Sequence, residues 1–185
     1  SSPELSNHLS KLKADSSLRY WRDGQLVRNS SGVLEFKTNQ QLLSEGVTVH
    51  PYIENVPFKS KDDVHGCIRE YYPPFMINGA IPDDLYYVVM DTIGKDKNIK
   101  ELTVKNSLNG IYVLMYPNTI SNSSGDIIVA GYVGRTNQME DADRIADMLC
   151  ERYNAKCLPE VDRGNTVANF RKWGKLHRLS RNPLS

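Results

Sequence analysis

Apolar residues in the second half of the chain gather in short runs separated by turn residues, and each run predicts an element. The run 86–90 is wholly apolar or aromatic, with Val88 and Val89 at its centre. Such a run fits a central strand covered on both faces better than a half-exposed one. Turn signals at 82–84 and 94–96 bound it, so the strand ends on Asp91. A carboxylate leaving the core there needs a partner, and a divalent cation is one such partner. Asn109-Gly110 predicts a turn, and the run 111–116 predicts a second strand, stopped by Pro117-Asn118. After a polar turn at 121–125, the run 127–133 predicts a third strand ending at Gly134-Arg135. Strands joined by short turns predict an antiparallel meander.

The spacing then changes to three and four. Met139, Ala142, Ile145, Ala146, Leu149, Cys150 and Tyr153 make one face of a helix. Thr136 or Asn137 is its predicted cap, with Glu140 as the capping-box acid. Glu140, Asp141, Asp143, Arg144, Asp147, Glu151 and Arg152 cover the remaining surface. The three aspartates read as a solvated face near a helix N-terminus, where negative charge is favourable, rather than as metal ligands. The stretch 155–161 predicts a fourth strand that delivers Glu160 and Asp162 just ahead of Arg163-Gly164. A second helix runs from Asn165 or Thr166 through Val167, Phe170 and Trp173 to Gly174. A right-handed crossover makes the fourth strand parallel to its neighbour. If that neighbour is the Asp91 strand, Asp91 and Glu160 emerge at one end of the sheet.

Residues 1–80 read as a strand-rich arm packed on a core of residues 81–185. Leu5, Leu9 and Leu12 give a weak helical pattern. Asp23-Gly24 predicts a hairpin turn, residues 29–32 a second turn and 33–36 a strand. Residues 40–46 predict one or two helical turns. The stretch 47–53 is extended, with Pro51 assigning it to an edge, and 62–72 holds a further strand ending at Pro73-Pro74.

With 185 residues, the chain suits one domain, with or without an appendage. A net charge of +1 supplies no bulk attraction to nucleic acid, so any such contact needs a local patch. The three cysteines, Cys67, Cys150 and Cys157, form no C-x-x-C pair and read as reduced, buried thiols. His50, His65 and Cys67 lack a fourth ligand at zinc spacing. The sequence has no signal peptide, no apolar run long enough to span a bilayer and no G-x-x-x-x-G-K-[ST] loop.

Three antiparallel strands, a helix, a parallel strand and a helix form the opening of the ribonuclease-H-like α/β mixed sheet. More specifically, residues 128–135, 140–149, 153–155 and 160–167 together resemble the C-terminal nuclease domain of tailed-phage large terminases. The lead-in at 72–74 and the segment 84–96 are similar to that family's first acidic motif. The likeness covers roughly residues 70 to 183 and, more loosely, the arm. It implies a metal-dependent endonuclease that cuts concatemeric double-stranded viral DNA during genome packaging in the host cytoplasm. It also implies a separate ATP-driven motor domain, a small terminase subunit and a portal as partners, and no membrane.

Phosphodiester hydrolysis needs an activated water and stabilisation of a charged transition state. Two hard cations about 4 Å apart serve both needs. Mg²⁺ or Mn²⁺ prefers oxygen ligands, so Asp and Glu are the right material. By analogy with the family, Asp91 bridges two ions and Glu160 holds one. The family pattern carries a third acid after a fifth strand, whereas this sequence reaches Ser185 with only the start of that region. Either the nuclease core lacks its C-terminal end or another acid substitutes: Asp162 first, then Asp96, with Asp126 weaker. Arg163, Arg171, Lys172, Lys175, His177, Arg178 and Arg181, with Arg135 and Lys95 on the same rim, are candidates for sequence-neutral phosphate contacts. Two other readings stay open: a different ribonuclease-H-like enzyme, of the junction-resolving or strand-transfer type, and a non-catalytic docking module of the packaging machine.

Overall fold

The computed structural model describes residues 3, 4, 7, 21–54, 64–93, 108–117, 126–159 and 164–180. Seven strands of the described residues form one mixed sheet: β1 (Arg22–Arg28), β2 (Leu34–Thr38), β3 (Ile68–Glu70), β4 (Tyr86–Ile93), β5 (Leu108–Met115), β6 (Ile127–Gly134) and β7 (Lys156–Leu158). Their order across the sheet is β2-β1-β3-β6-β5-β4-β7. The helices are α1 (Asn39–Ser44), α2 (Met139–Tyr153) and α3 (Gly164–Lys172), followed by a 3-10 turn at Leu176–Arg178. No helix among the described residues is long and apolar enough to cross a membrane.

The meander β4-β5-β6 is antiparallel throughout. After α2 the chain returns as β7, which pairs with β4 in parallel, Tyr87 beside Lys156 and Val89 beside Leu158. The N-terminal strands extend the same sheet, because β3 pairs with β6 and β1 with β3. Leu5, Leu9 and Leu12, which carry the predicted helical pattern near the start of the chain, lie outside the described residues.

Both glycine dipeptides that predicted turns lie inside strands. Asp23-Gly24 is in β1, with Gly24 beside Thr38 and Ile68. A Cβ on Gly24 would stand 2.0 Å from the Lys37 carbonyl oxygen, so this glycine serves the close approach of two backbones. Asn109-Gly110 is in β5, with Gly110 beside Asp91 and Val133. The turn at 29–32 does form. The Asn29 carboxamide oxygen accepts from the Ser31 and Val33 amides at 2.9 and 3.0 Å. The stretch 47–53 joins none of the described strands.

The core lies between one face of the sheet and the helices. Tyr86, Val88 and Met90 of β4 pack there with Ile111, Val113 and Met115 of β5 and with Ala142, Ala146, Leu149 and Tyr153 of α2. Tyr87 and Val89 on the alternate face are only half-buried, and Asp91 is exposed. The continuous apolar run therefore does not mean a strand covered on both sides. Tyrosine and valine tolerate a half-open face, and period-two alternation survives in the burial although not in the residue types.

α2 begins later than predicted. Gln138 is its cap, and Asp141, not Glu140, accepts the Gln138 amide at 3.1 Å. The larger correction concerns its polar face. Asp143 and Asp147 are 3% and 6% exposed. Asp143 accepts from Thr166 Oγ1 and Asn169 Nδ2, each at 2.8 Å, because α3 packs across this side of α2. Asp147 pairs with Arg178. Arg152, also assigned to the solvated side, turns inward to Glu70, which is 2% exposed. Its Nε and Nη2 donate at 2.5 and 3.0 Å, and Arg22 donates to the same carboxylate at 2.7 Å. One buried acid thus joins β1, β3 and α2. The cysteines Cys67, Cys150 and Cys157 are buried and free.

Candidate functional site

Asp91 stands near the C-terminal end of β4, on the sheet face turned away from α2. Its cross-strand neighbour is Gly110. Tyr112, two residues along on the same face, lies beside Val89 and Gly131. Burial raises the Tyr112 phenol above its ordinary value, and the charge of Asp91, followed by Tyr71, adds to the shift. Beyond Gly131 the same face is covered and carries the buried Arg69, whose guanidinium lies over the Trp21 and Tyr52 rings at 4.5 and 4.2 Å. Asp23 binds it through two contacts of 2.7 and 2.9 Å, and Glu54 binds it as well.

β6 runs in the same direction as β4, so Gly134 and the following Arg135 reach the Asp91 end of the sheet. The Arg135 amide donates to the Val64 carbonyl at 2.5 Å, which fixes the chain next to His65. The His65 and His50 rings lie 4.6 Å apart. β7 runs toward the same end. Its last residue, Leu158, is level with Val89, two positions short of Asp91 on β4. Glu160, Asp162, Arg163, Asp96, Lys95 and Arg181 lie outside the described residues.

Several predicted site residues go elsewhere. Asp126 accepts the Tyr87 hydroxyl at the opposite, N-terminal end of β4, which removes it as a third acid beside Asp91. Arg178 is not a free phosphate contact, because its guanidinium is committed to Asp147 and to Glu151, the latter at 3.1 Å. Lys172 lies 3.7 Å from Glu140, which offsets part of its charge. Arg171 is exposed and Lys175 half-buried. Arg178 and Lys156, with Asp83, Asp84, Tyr86 and Tyr116, line a cleft of about 620 Å³ at the end of the sheet away from Asp91.

A hard divalent cation fits the chemistry of an exposed carboxylate at a strand end. The described residues alone supply a single donor from the expected set, and no group of three His, Cys, Asp or Glu among them could hold a metal. Sequence reasoning missed Tyr112 and the Arg69 cluster. Tyr112 read only as strand filling, and Arg69 gave no signal, because its aromatic and acidic partners come from segments far apart in the chain. No family model, curated protein or solved structure matches this chain.

Proposed function

We propose that this chain is a metal-dependent DNA endonuclease with a ribonuclease-H-like core, and that it is the nuclease part of a phage DNA-packaging terminase. The observation that carries the reading is the parallel pairing of β7 with β4. The chain leaves β7 at the sheet end where Asp91 stands, and Glu160 follows Leu158 by two residues. The order β6-β5-β4-β7 supports the same core. So does the parallel bridge from Cys157 to Leu179, which begins a further position outside β7.

In this reading Asp91 and Glu160 hold Mg²⁺ or Mn²⁺, with Asp162 or Asp96 completing the set. The ions, when bound, supply water activation and neutralise charge on the phosphate. The chain's own part is to present Asp91 on a strand held in place by its backbone hydrogen bonds to β5. Arg135 at the same rim, the exposed Arg171 and the half-buried Lys175 contribute sequence-neutral attraction to duplex DNA. Arg163 joins them by its place in the sequence. The motor domain, small subunit and portal are its partners by family resemblance.

The test is nicking of supercoiled plasmid in Mn²⁺, Mg²⁺ or chelator. Metal-dependent cleavage that disappears in both Asp91→Ala and Glu160→Ala supports the reading. Retained cleavage in Asp91→Ala with an unchanged circular-dichroism spectrum removes Asp91 from the site. Preference for a four-way junction over linear or supercoiled duplex moves the chain to the junction-resolving class. No cleavage under any metal overturns the enzyme assignment.

A further inference from the structure

One end of the sheet is an open edge. Among the described residues β2 pairs with β1 alone and stands last in the strand order. At the other end β7 already carries the bridge from Cys157 to Leu179. The outward N–H and C=O groups of an edge strand are a template for a further strand. The helix that follows β2 turns away from this edge. Asn39, the first residue of α1, donates to the His50 carbonyl at 3.1 Å and to Cys67 Sγ at 3.8 Å, so α1 runs back past β1 toward β3. Leu34 and Phe36 pack on the core. Alternation along the strand puts Glu35 and Lys37 on the other face.

We propose that β2 is a self-association edge, on which a second copy of the chain pairs its own β2 antiparallel about Phe36 and joins two sheets into one. The strand's own sequence selects this occupant. A two-fold axis at Phe36 makes every contact reciprocal. Phe36 then lies beside Phe36 of the second copy, Leu34 beside Thr38, and Glu35 beside Lys37, so two opposite-charge pairs form at once. Residues directly opposite have Cβ atoms about 4.5–5.5 Å apart, and opposite charges there are favourable. Centring the pair on Glu35 or on Lys37 sets like charges face to face, so the register is specified. Lys37 is held within its own chain by Glu45 at 2.8 Å, an exposed pair that solvent screens and that yields readily. The exposed Val33 falls opposite Asn39 of the second copy, which takes an apolar side chain out of water. The competing reading is that Glu35 and Lys37 only keep the edge in water, and the chain is then monomeric. The proposal does not depend on the nuclease reading of Asp91.

The test is sedimentation equilibrium of the full chain over a wide concentration range, with a thermal melt to check that each variant folds. A five-residue pairing is small beside a standard interface, so the wild type should show a weak dimer that dissociates on dilution. Glu35→Lys and Lys37→Glu each turn both attractive pairs into repulsive ones, and each should weaken the dimer about tenfold. An equal mixture of the two variants restores both attractive pairs between unlike chains, and it should dimerise as the wild type does. That recovery is specific to Glu35 facing Lys37, because loss of the Lys37 pair with Glu45 inside one chain would not be repaired by mixing. A wild-type chain that stays monomeric at every concentration overturns the proposal. A dimer that neither reversal weakens, or a mixture no stronger than either variant alone, overturns it as well.

Discussion

The carboxylates packed under the helices and the carboxylate at the strand rim differ in everything except chemistry. Glu70, Asp143 and Asp147 are nearly sealed from solvent, and each is met by donors from a different element: Arg22 and Arg152, Thr166 and Asn169, and Arg178. Asp91 is exposed, faces a glycine and stands on a sheet face left half-open. A buried acid whose lone pairs are filled by protein donors holds elements together and has little capacity left for a ligand. Exposure, more than place in a motif, therefore separates Asp91 from the acids that tie elements of this chain together.

The sharpest way to break the comparison is to remove one acid of each kind and ask whether stability and activity come apart. Asp91→Ala should reduce Mn²⁺-dependent nicking to the level seen with chelator and leave the melting temperature within about a degree of wild type, as for an exposed surface substitution. A large drop in melting temperature would make Asp91 a structural acid like the others. Glu70→Ala should do the reverse. It strands the largely buried Arg152 guanidinium, while Arg22 is half exposed, and breaking a buried pair in this way costs about 3–5 kcal/mol. For a chain of this size that is a fall of roughly 10 °C in a thermal melt. Glu70→Ala at wild-type stability would show that the Arg22 and Arg152 contacts hold nothing together.

Much of the strand framework was legible because β-branched and aromatic runs bounded by Pro, Gly and Asn carry their own punctuation. β4, β5, β6 and α2 stand close to where the pattern placed them, and the parallel return of β7 followed from the handedness of crossovers. What failed was tertiary. Gly24 and Gly110 read as turns because a glycine needed for backbone conformation and one needed for close approach look the same in sequence. Asp143, Asp147 and Arg152 read as solvated because an apolar stripe marks the face toward the sheet and says nothing of a second helix arriving on the flank. Of the site, Asp91 could be read as the end of an apolar run.

Asp143 tests that second failure directly. As a solvated residue it would tolerate alanine. As the acceptor for Thr166 and Asn169 it ties α3 to α2, and Asp143→Ala leaves a buried hydroxyl and a carboxamide without their partner. The expected cost is about 1–3 kcal/mol, seen as a lower urea midpoint with an unchanged slope. Hydrogen exchange should locate the loss in residues 164–172. If α3 keeps its protection in this variant, Phe170 in the core anchors the helix without help from Asp143.

Glu151 lies between the two extremes and should give the smallest effect. It is partly exposed, takes Arg28 at 2.9 and 3.2 Å, and takes Arg178 at 3.1 Å. The hydrogen bond from Arg28 holds its carboxyl below the ordinary 4.5, and Arg178 adds to this against the opposing effect of partial burial. A folded-state pKa lowered in this way contributes stability that is fully present above the unfolded value and is lost as pH falls through the folded one. Glu151→Gln should therefore lower stability at pH 7 by less than about 1 kcal/mol, since Arg28 is half exposed and solvent screens the pair. The gap to wild type should narrow as pH falls below the ordinary 4.5 and close once the folded-state carboxylate is protonated, where both chains carry a neutral group at this position. Urea midpoints measured at pH 7 and in acid decide the matter. A gap that persists unchanged in acid would mean that Glu151 acts through packing alone, and the ordering of these acids by exposure and donor count would have to be redrawn.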